Sequence, residues 1–325
     1  MKDSDYIRKI SLQQQLDCMV LEAKKFASNG ETAGYIPALS AVNPNSLGIC
    51  LISSQGSFIK SGDTSHWFTL QSISKVFSFI FVCHTKGVDY VLEYVDVEPT
   101  GDPFNSIFRL EFSDTGRPYN PMINAGAITV ASLIPGDLPM EKLDSLLGFF
   151  EHMIGRKPKI NMEVFCSEWK TANRNRSLAY WLKETGYLLC EVEDAMDVYL
   201  KQCSIEVNIV ELAQMGLILA NDGFHPYTNE QIFSSEIASL AKTLMLTCGM
   251  YDYSGRFAAF VGIPAKSGVS GGIMAAIPPS ARVSNNRSAC WGVGLYGPAI
   301  DKHGNSAAGV VLLEQLSREW NLRLI

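Results

Sequence analysis

Apolar residues recur at intervals of three and four over 11–30, where Leu12, Leu16, Met19, Val20, Ala23 and Phe26 mark one face of a helix bounded by Ser11 and Gly30. Alternation then takes over. Leu47, Ile49 and Leu51 point one way along an extended run, SSQG supplies a turn, and Phe58 opens a second run, which together predict a β-hairpin. From 72 to about 260 the period is helical again, through Ile73, Val76, Phe77 and Ile80, and later Leu143, Leu146, Leu147, Phe150 and Met153. Within this block Asn208 and Glu211 form a capping box for NIVELAQMGLILA, and Asn221-Asp222-Gly223 stops that helix. After 260, GVSGGIMAAIP and ACWGVGLYG read as strands, and a last helix runs from about Ser306 to Trp320.

The order helix, strands, helical block, strands, helix predicts an α/β (α+β) fold in which both chain ends build one antiparallel sheet, flanked by the terminal helices, around an inserted all-helical subdomain. A single domain of two lobes follows: a sheet lobe from about 1–68 plus 261–325, and a helical lobe from about 69–260. The cleft between lobes is the expected place for a small-molecule site.

Composition narrows the function classes. With 325 residues, 47% of them hydrophobic and 18% charged, the chain can bury a large core. A net charge of -6 gives no broad basic surface, so a nucleic-acid partner is not expected. The eight cysteines (18, 50, 83, 166, 190, 203, 248, 290) include no C-x-x-C pair and read as reduced thiols. No leader-like apolar segment opens the chain and no apolar run reaches the ~18–20 residues that span a bilayer, so a cytoplasmic protein without membrane partners is expected. The five histidines (66, 84, 152, 225, 303) are dispersed and suggest no metal cage.

Phosphate-loop, zincin, α/β-hydrolase and dinucleotide-binding motifs are missing. The pattern S-x-x-K occurs four times, at Ser57-Lys60, Ser72-Lys75, Ser167-Lys170 and Ser239-Lys242, and context separates the copies. Ser72 follows HWFTLQ and opens the helix SISKVFSFIFVCH, so Lys75, three residues on, shares its face. A lysine kept neutral by a desolvated pocket and a helix N-terminus can take a proton from such a serine. The competing reading is a capping serine with a solvated lysine. Enzymes that use S-x-x-K also carry K-[ST]-G beside the nucleophile, and Lys266-Ser267-Gly268 stands in the right chain order at the start of a glycine-rich strand. Lys60-Ser61-Gly62 precedes the serine and does not. Of the S-x-N and Y-x-N matches, Ser284-Asn285-Asn286 comes too late and Tyr227-Thr228-Asn229 reads as a turn.

Eight segments in order resemble those of the serine-dependent glutaminases: YIPAL (35–39), LQSISK (70–75), PYNPMINAGAI (118–128), SEWKTANRN (167–175), YLKQCSIEV (199–207), CGMYDYSGRFA (248–258), PAKSGVSGG (264–272) and DKHGNSAAG (301–309). The resemblance implies a serine β-lactamase-like fold and cofactor-free hydrolysis of L-glutamine to L-glutamate and ammonia. It casts Ser72 as nucleophile, Lys75 as its base, and Tyr251 and Tyr199 as proton carriers, with the choice between the tyrosines open. Tyr35, Asn124, Glu168 and Asn175 are implied to hold glutamine, and the backbone of Val269 to complete an oxyanion hole with that of Ser72. The ligand's chemistry suits this set: its α-ammonium needs one carboxylate, and its carboxylate and carboxamide need neutral donors.

Arg176-Ser177 after Asn175 departs from the family pattern and places an extra positive charge near that asparagine, where affinity or selectivity could change. The chain lacks the long extensions of animal relatives, so ankyrin-mediated control is not expected. The resemblance further implies a homo-oligomer, dimer or tetramer. Two rivals use the same residues: a penicillin-recognising serine acyltransferase, and an inactive glutamine-binding sensor.

Overall fold

The computed structural model describes residues 11–111, 115–279 and 289–324. Strands β1 (Gly48–Ser53), β2 (Phe58–Gly62), β3 (Phe68–Thr69), β4 (Glu206–Val207), β5 (Phe224–His225), β6 (Glu230–Gln231), β7 (Ala265–Ser267), β8 (Gly272–Ile277) and β9 (Trp291–Tyr296) are present. Five of them form the main sheet in the order β2-β1-β9-β8-β7, antiparallel throughout. The chain's two ends meet at β1–β9, where Leu51 pairs with Val293. The expected hairpin is β1–β2. The block between the sheet's halves is helical except for two short pairings, β3–β4 and β5–β6, and the latter's turn holds Tyr227-Thr228-Asn229.

Alternation along β9 explains how both faces of the sheet are covered. Val293 and Leu295 point to one face, where they share a core with Leu16, Val20 and Ala23 of the helix Leu12–Lys24, Leu312 and Leu316 of the helix Ala307–Glu319, and Phe257. Gly292 and Gly294 point to the other, against the helix Ile209–Ala220. A Cβ on Gly292 would sit 1.9 Å from the Ala213 carbonyl, so only glycine lets this helix lie directly on the strand. The helix is held by its predicted cap: the Asn208 side chain accepts from the N–H of Val210 and Glu211. It joins the sheet's inner face to a continuous core that includes the helix Ser74–Lys86.

Three expectations are adjusted. The first helix ends at Lys24 and continues as a tighter 3-10 turn to Asn29, leaving Leu12 and Phe26 exposed. GVSGGIMAAIP is not one strand: Lys266-Ser267 ends edge strand β7, and a turn at Gly268–Gly271 leads into β8. Ser72 lies in a 3-10 turn, Gln71–Ile73, just before the α-helix that carries Lys75. Ser284-Asn285-Asn286 lies outside the described residues.

Candidate active site

Of the four S-x-x-K copies, burial singles out one. Ser72 is 8% exposed and Lys75 only 1%, which removes the reading of a solvated lysine beside a cap. Lys75 Nζ donates to Asn124 Oδ1 at 2.6 Å and to the Met122 carbonyl at 3.3 Å. A neutral amine has two N–H bonds and one lone pair, so these acceptors use both donors and leave the lone pair for a proton. Burial pushes Lys75 down to about 8, against the opposing fields of Cys203 and Glu168. Among the other copies, Lys170 is exposed and Lys242 pairs with Asp222. The early Lys60-Ser61-Gly62 is a sheet element whose Ser61 hydroxyl donates to Asp17.

The surroundings of Ser72 are held in unusual backbone. Gln71 and Tyr251 have φ of +50° and +56°. The other non-glycine residues in that region, among those described, are Asp222, Asn229 and Asn321, whose short polar side chains tolerate it. Gln and Tyr do not, at a cost of order 1 kcal/mol each, and both flank Ser72. The Tyr251 O–H donates to the Ser267 carbonyl at 3.2 Å, leaving its oxygen to the Ser72 side chain, with which it hydrogen-bonds. Lys266, also buried, donates to the same carbonyl at 2.8 Å and sits 4.4 Å from the Tyr251 ring centroid. Burial holds Lys266 well below the usual lysine range, with Lys75 adding to the shift, and pushes both Tyr251 and Tyr199 up, so both phenols stay protonated.

The turn after β7 closes over this group. Ser270 Oγ donates to the Thr69 carbonyl at 2.6 Å, and a Cβ on Gly268 would meet the Leu70 carbonyl at 2.5 Å. These contacts bring the Val269 backbone against the turn that carries Ser72.

A cavity of about 390 Å³ opens above the serine. Seven of the nine residues singled out in the sequence line it: Tyr35, Ser72, Asn124, Glu168, Asn175, Tyr199 and Val269. Lys75 and Tyr251 lie beneath that lining, reached through Asn124 and Ser72. Asn124 Nδ2 donates to Asn175 Oδ1 at 2.8 Å, so one asparagine joins the lysine to the cavity's far wall. Glu168 accepts from Gln71 Nε2 at 3.1 Å, and burial raises its carboxyl to about 7. Tyr35, 59% exposed, stands at the mouth. Among the described residues no cluster of three metal-ligating side chains occurs.

The glutaminase family model matches residues 30–324. This chain belongs to the glutaminase family. It is 56% identical to glutaminase 1 of Bacillus subtilis over 310 residues, 95% of each chain, and 45% identical to the glutaminase of Clostridium tetani over 314. A crystal structure of a probable Bacillus subtilis glutaminase superposes with a TM-score of 0.91 at 53% identity, covering 96% of this chain and 97% of that one. Another, at a TM-score of 0.88, 51% identity and coverage of 97% and 100%, is a covalent complex with 5-oxo-L-norleucine formed by reaction of that protein with 6-diazo-5-oxo-L-norleucine.

In this glutaminase the extra charge read at Arg176 does not reach the site. Its guanidinium pairs with Glu193, donates to the Trp169 carbonyl and stacks on the Trp169 ring, away from the cavity. Arg174 lines the cavity instead, because residues two apart on a helix point in different directions. Two further participants were not singled out. Gln71 tethers Glu168, and the Phe104 ring packs against Tyr251 at a tilt of 43°, with centroids 4.8 Å apart. Their residue types carry no chemistry of their own, so only their contacts mark them.

Proposed function

We propose that this glutaminase hydrolyses L-glutamine to L-glutamate and ammonia through a glutamyl-serine intermediate on Ser72. The observation that carries the reading is the buried Lys75, its two amine hydrogens occupied by Asn124 and Met122. The covalent complex of the Bacillus subtilis relative with 5-oxo-L-norleucine, formed from a diazo ketone of glutamine's size, supports a nucleophilic route.

Glutamine's α-ammonium pairs with Glu168, and its carboxylate meets the neutral donors of Tyr35, Asn175 and Tyr199. The side-chain amide then faces Ser72. As Ser72 Oγ attacks the amide carbon, its proton passes by way of the Tyr251 oxygen or directly to the Lys75 amine. The negative oxygen that forms is met by the backbone N–H groups of Ser72 and Val269. Collapse breaks the C–N bond, the proton moves from Lys75 to the departing nitrogen, and ammonia leaves. Water attacks the ester by the reverse proton path and releases glutamate. Protonated Tyr251, in contact with Ser72, favours it over Tyr199 as carrier, since Tyr199 presents its ring to Lys75 at 5.9 Å. The reading uses the chain's own groups and no cofactor. It extends to a cytoplasmic homo-oligomer, dimer or tetramer; no described helix is long and apolar enough to cross a membrane.

Ser72→Ala tests the mechanism. Ammonia release should vanish with the melting temperature retained, and wild type treated with 6-diazo-5-oxo-L-norleucine should gain mass on the peptide holding Ser72. Adduct formation on another residue overturns the assignment. Stable acylation of Ser72 by a β-lactam would favour the acyltransferase reading, and glutamine binding without ammonia release the sensor.

A further inference from the structure

Arg174 occupies the first turn of the helix Asn173–Glu184, where a cation opposes the helix dipole and where no acidic residue compensates it. Helix stability therefore does not explain the residue. Its side chain reaches across the cavity wall, and Nε donates to the Asn105 carbonyl at 3.0 Å. The neighbouring Phe104 carbonyl accepts the Asn124 N–H at 2.8 Å, while the Phe104 ring packs at a tilt against that of Tyr251. A closed circuit results: from Arg174 to the Asn105 segment, through Phe104 to Asn124, and back through Asn175, the residue next to Arg174. Tyr251 is held against it by one aromatic contact. We propose that Arg174 is a positioning residue for the hydrolysis, fixing the Phe104–Asn105 segment so that Phe104 keeps Tyr251 on the Ser72 hydroxyl. The proposal rests on the reading of Ser72 and Tyr251 given above.

The assignment makes kcat, not substrate affinity, the quantity Arg174 controls. Arg174→Ala should lower kcat about ten-fold to a hundred-fold, the scale of a loosened reacting group, with KM changed less than three-fold. Arg174→Lys, which retains one N–H donor toward Asn105, should recover most of the loss. Because Arg174 acts through Phe104, the double variant Arg174→Ala/Phe104→Leu should be no slower than Phe104→Leu alone, a non-additivity that a direct contact with substrate cannot give. The melting temperature of Arg174→Ala should equal or exceed that of wild type; a fall would mark a merely structural role and overturn the proposal. So would an effect confined to KM, or additive losses in the double variant. Failure of the underlying reading appears separately, as undiminished ammonia release by Ser72→Ala.

Discussion

Lys75 Nζ lies 2.6 Å from Asn124 Oδ1, and the second face of that amide holds Asn175. The asparagine thus accepts from Lys75, the proposed base, on one side and donates toward the cavity on the other. Its neutrality is what the arrangement requires, because a carboxylate there would pair with the ammonium form of Lys75 and raise its pKa from about 8. Asn124→Asp should therefore shift the rising limb of the rate–pH profile to higher pH by one unit or more, with most activity lost at pH 7 and part regained above pH 9. A uniform loss at every pH would contradict this role.

The pH dependence of the native enzyme follows from two groups. In the proposed mechanism Glu168 must be ionised to hold the α-ammonium, and Lys75 must be neutral to take the proton; both conditions are met as pH rises through about 7 and about 8. kcat/KM should climb steeply below pH 7, more gently to pH 8, then level. Glu168→Gln should remove the lower step and raise KM. Its effect on stability has a fixed sign. The carboxyl's folded value lies above its unfolded value of 4.5, so the penalty for burying the charged form is absent below that and full above about 7. The substitution should raise the melting temperature by a few degrees at pH 8 and hardly at pH 5.

How far the sequence disclosed this arrangement depends on whether a feature is local. Periodicity marked the hairpin β1–β2, the capped helix Ile209–Ala220 and the closing helix from Ser306, since each is set by neighbours in the chain. The fold class came from the order of such elements. The break within GVSGGIMAAIP did not, because glycine suits both a strand beside a helix and a turn, and the contact with Leu70 that requires a turn at Gly268 is 198 residues away in the chain. At the site, residues with intrinsic chemistry were found through motif matching. Gln71, Phe104 and Arg174 act by where they reach, 97 residues in the case of the Gln71–Glu168 bond, and no local pattern encodes that. Arg176 stands out in the sequence as a departure from the family pattern, whereas the helix phase that turns Arg174 to the cavity is set by packing.

The two lobes should not fold apart. The helix Ile209–Ala220, buried along nearly its whole surface, belongs by sequence to the 69–260 block yet rests on β9 through Gly292 and Gly294 and meets β8 where Gly216 approaches the Ala275 carbonyl. Expressed alone, residues 69–260 would expose the side of this helix that carries Ala213 and Leu217. Aggregation or a broad, non-cooperative melt is expected, and a sharp cooperative transition by circular dichroism would refute the proposed interdependence.

The turn after β7 offers the most direct test of the proposed oxyanion arrangement. A Cβ at Gly268 would stand 2.5 Å from the Leu70 carbonyl, a backbone atom that cannot swing aside, so Gly268→Ala must separate the Val269 N–H from the turn holding Ser72. Removal of one oxyanion donor costs about a hundred-fold to a thousand-fold in kcat. Lys75, Asn124 and Glu168 are left in place, so glutamine binding should weaken little and the pH profile should keep its shape. Measured kcat, KM and pH dependence of Gly268→Ala therefore separate loss of charge stabilisation from damage to the base. A variant with near-native kcat would remove Val269 from the reaction, and a profile displaced along the pH axis would place the injury at Lys75.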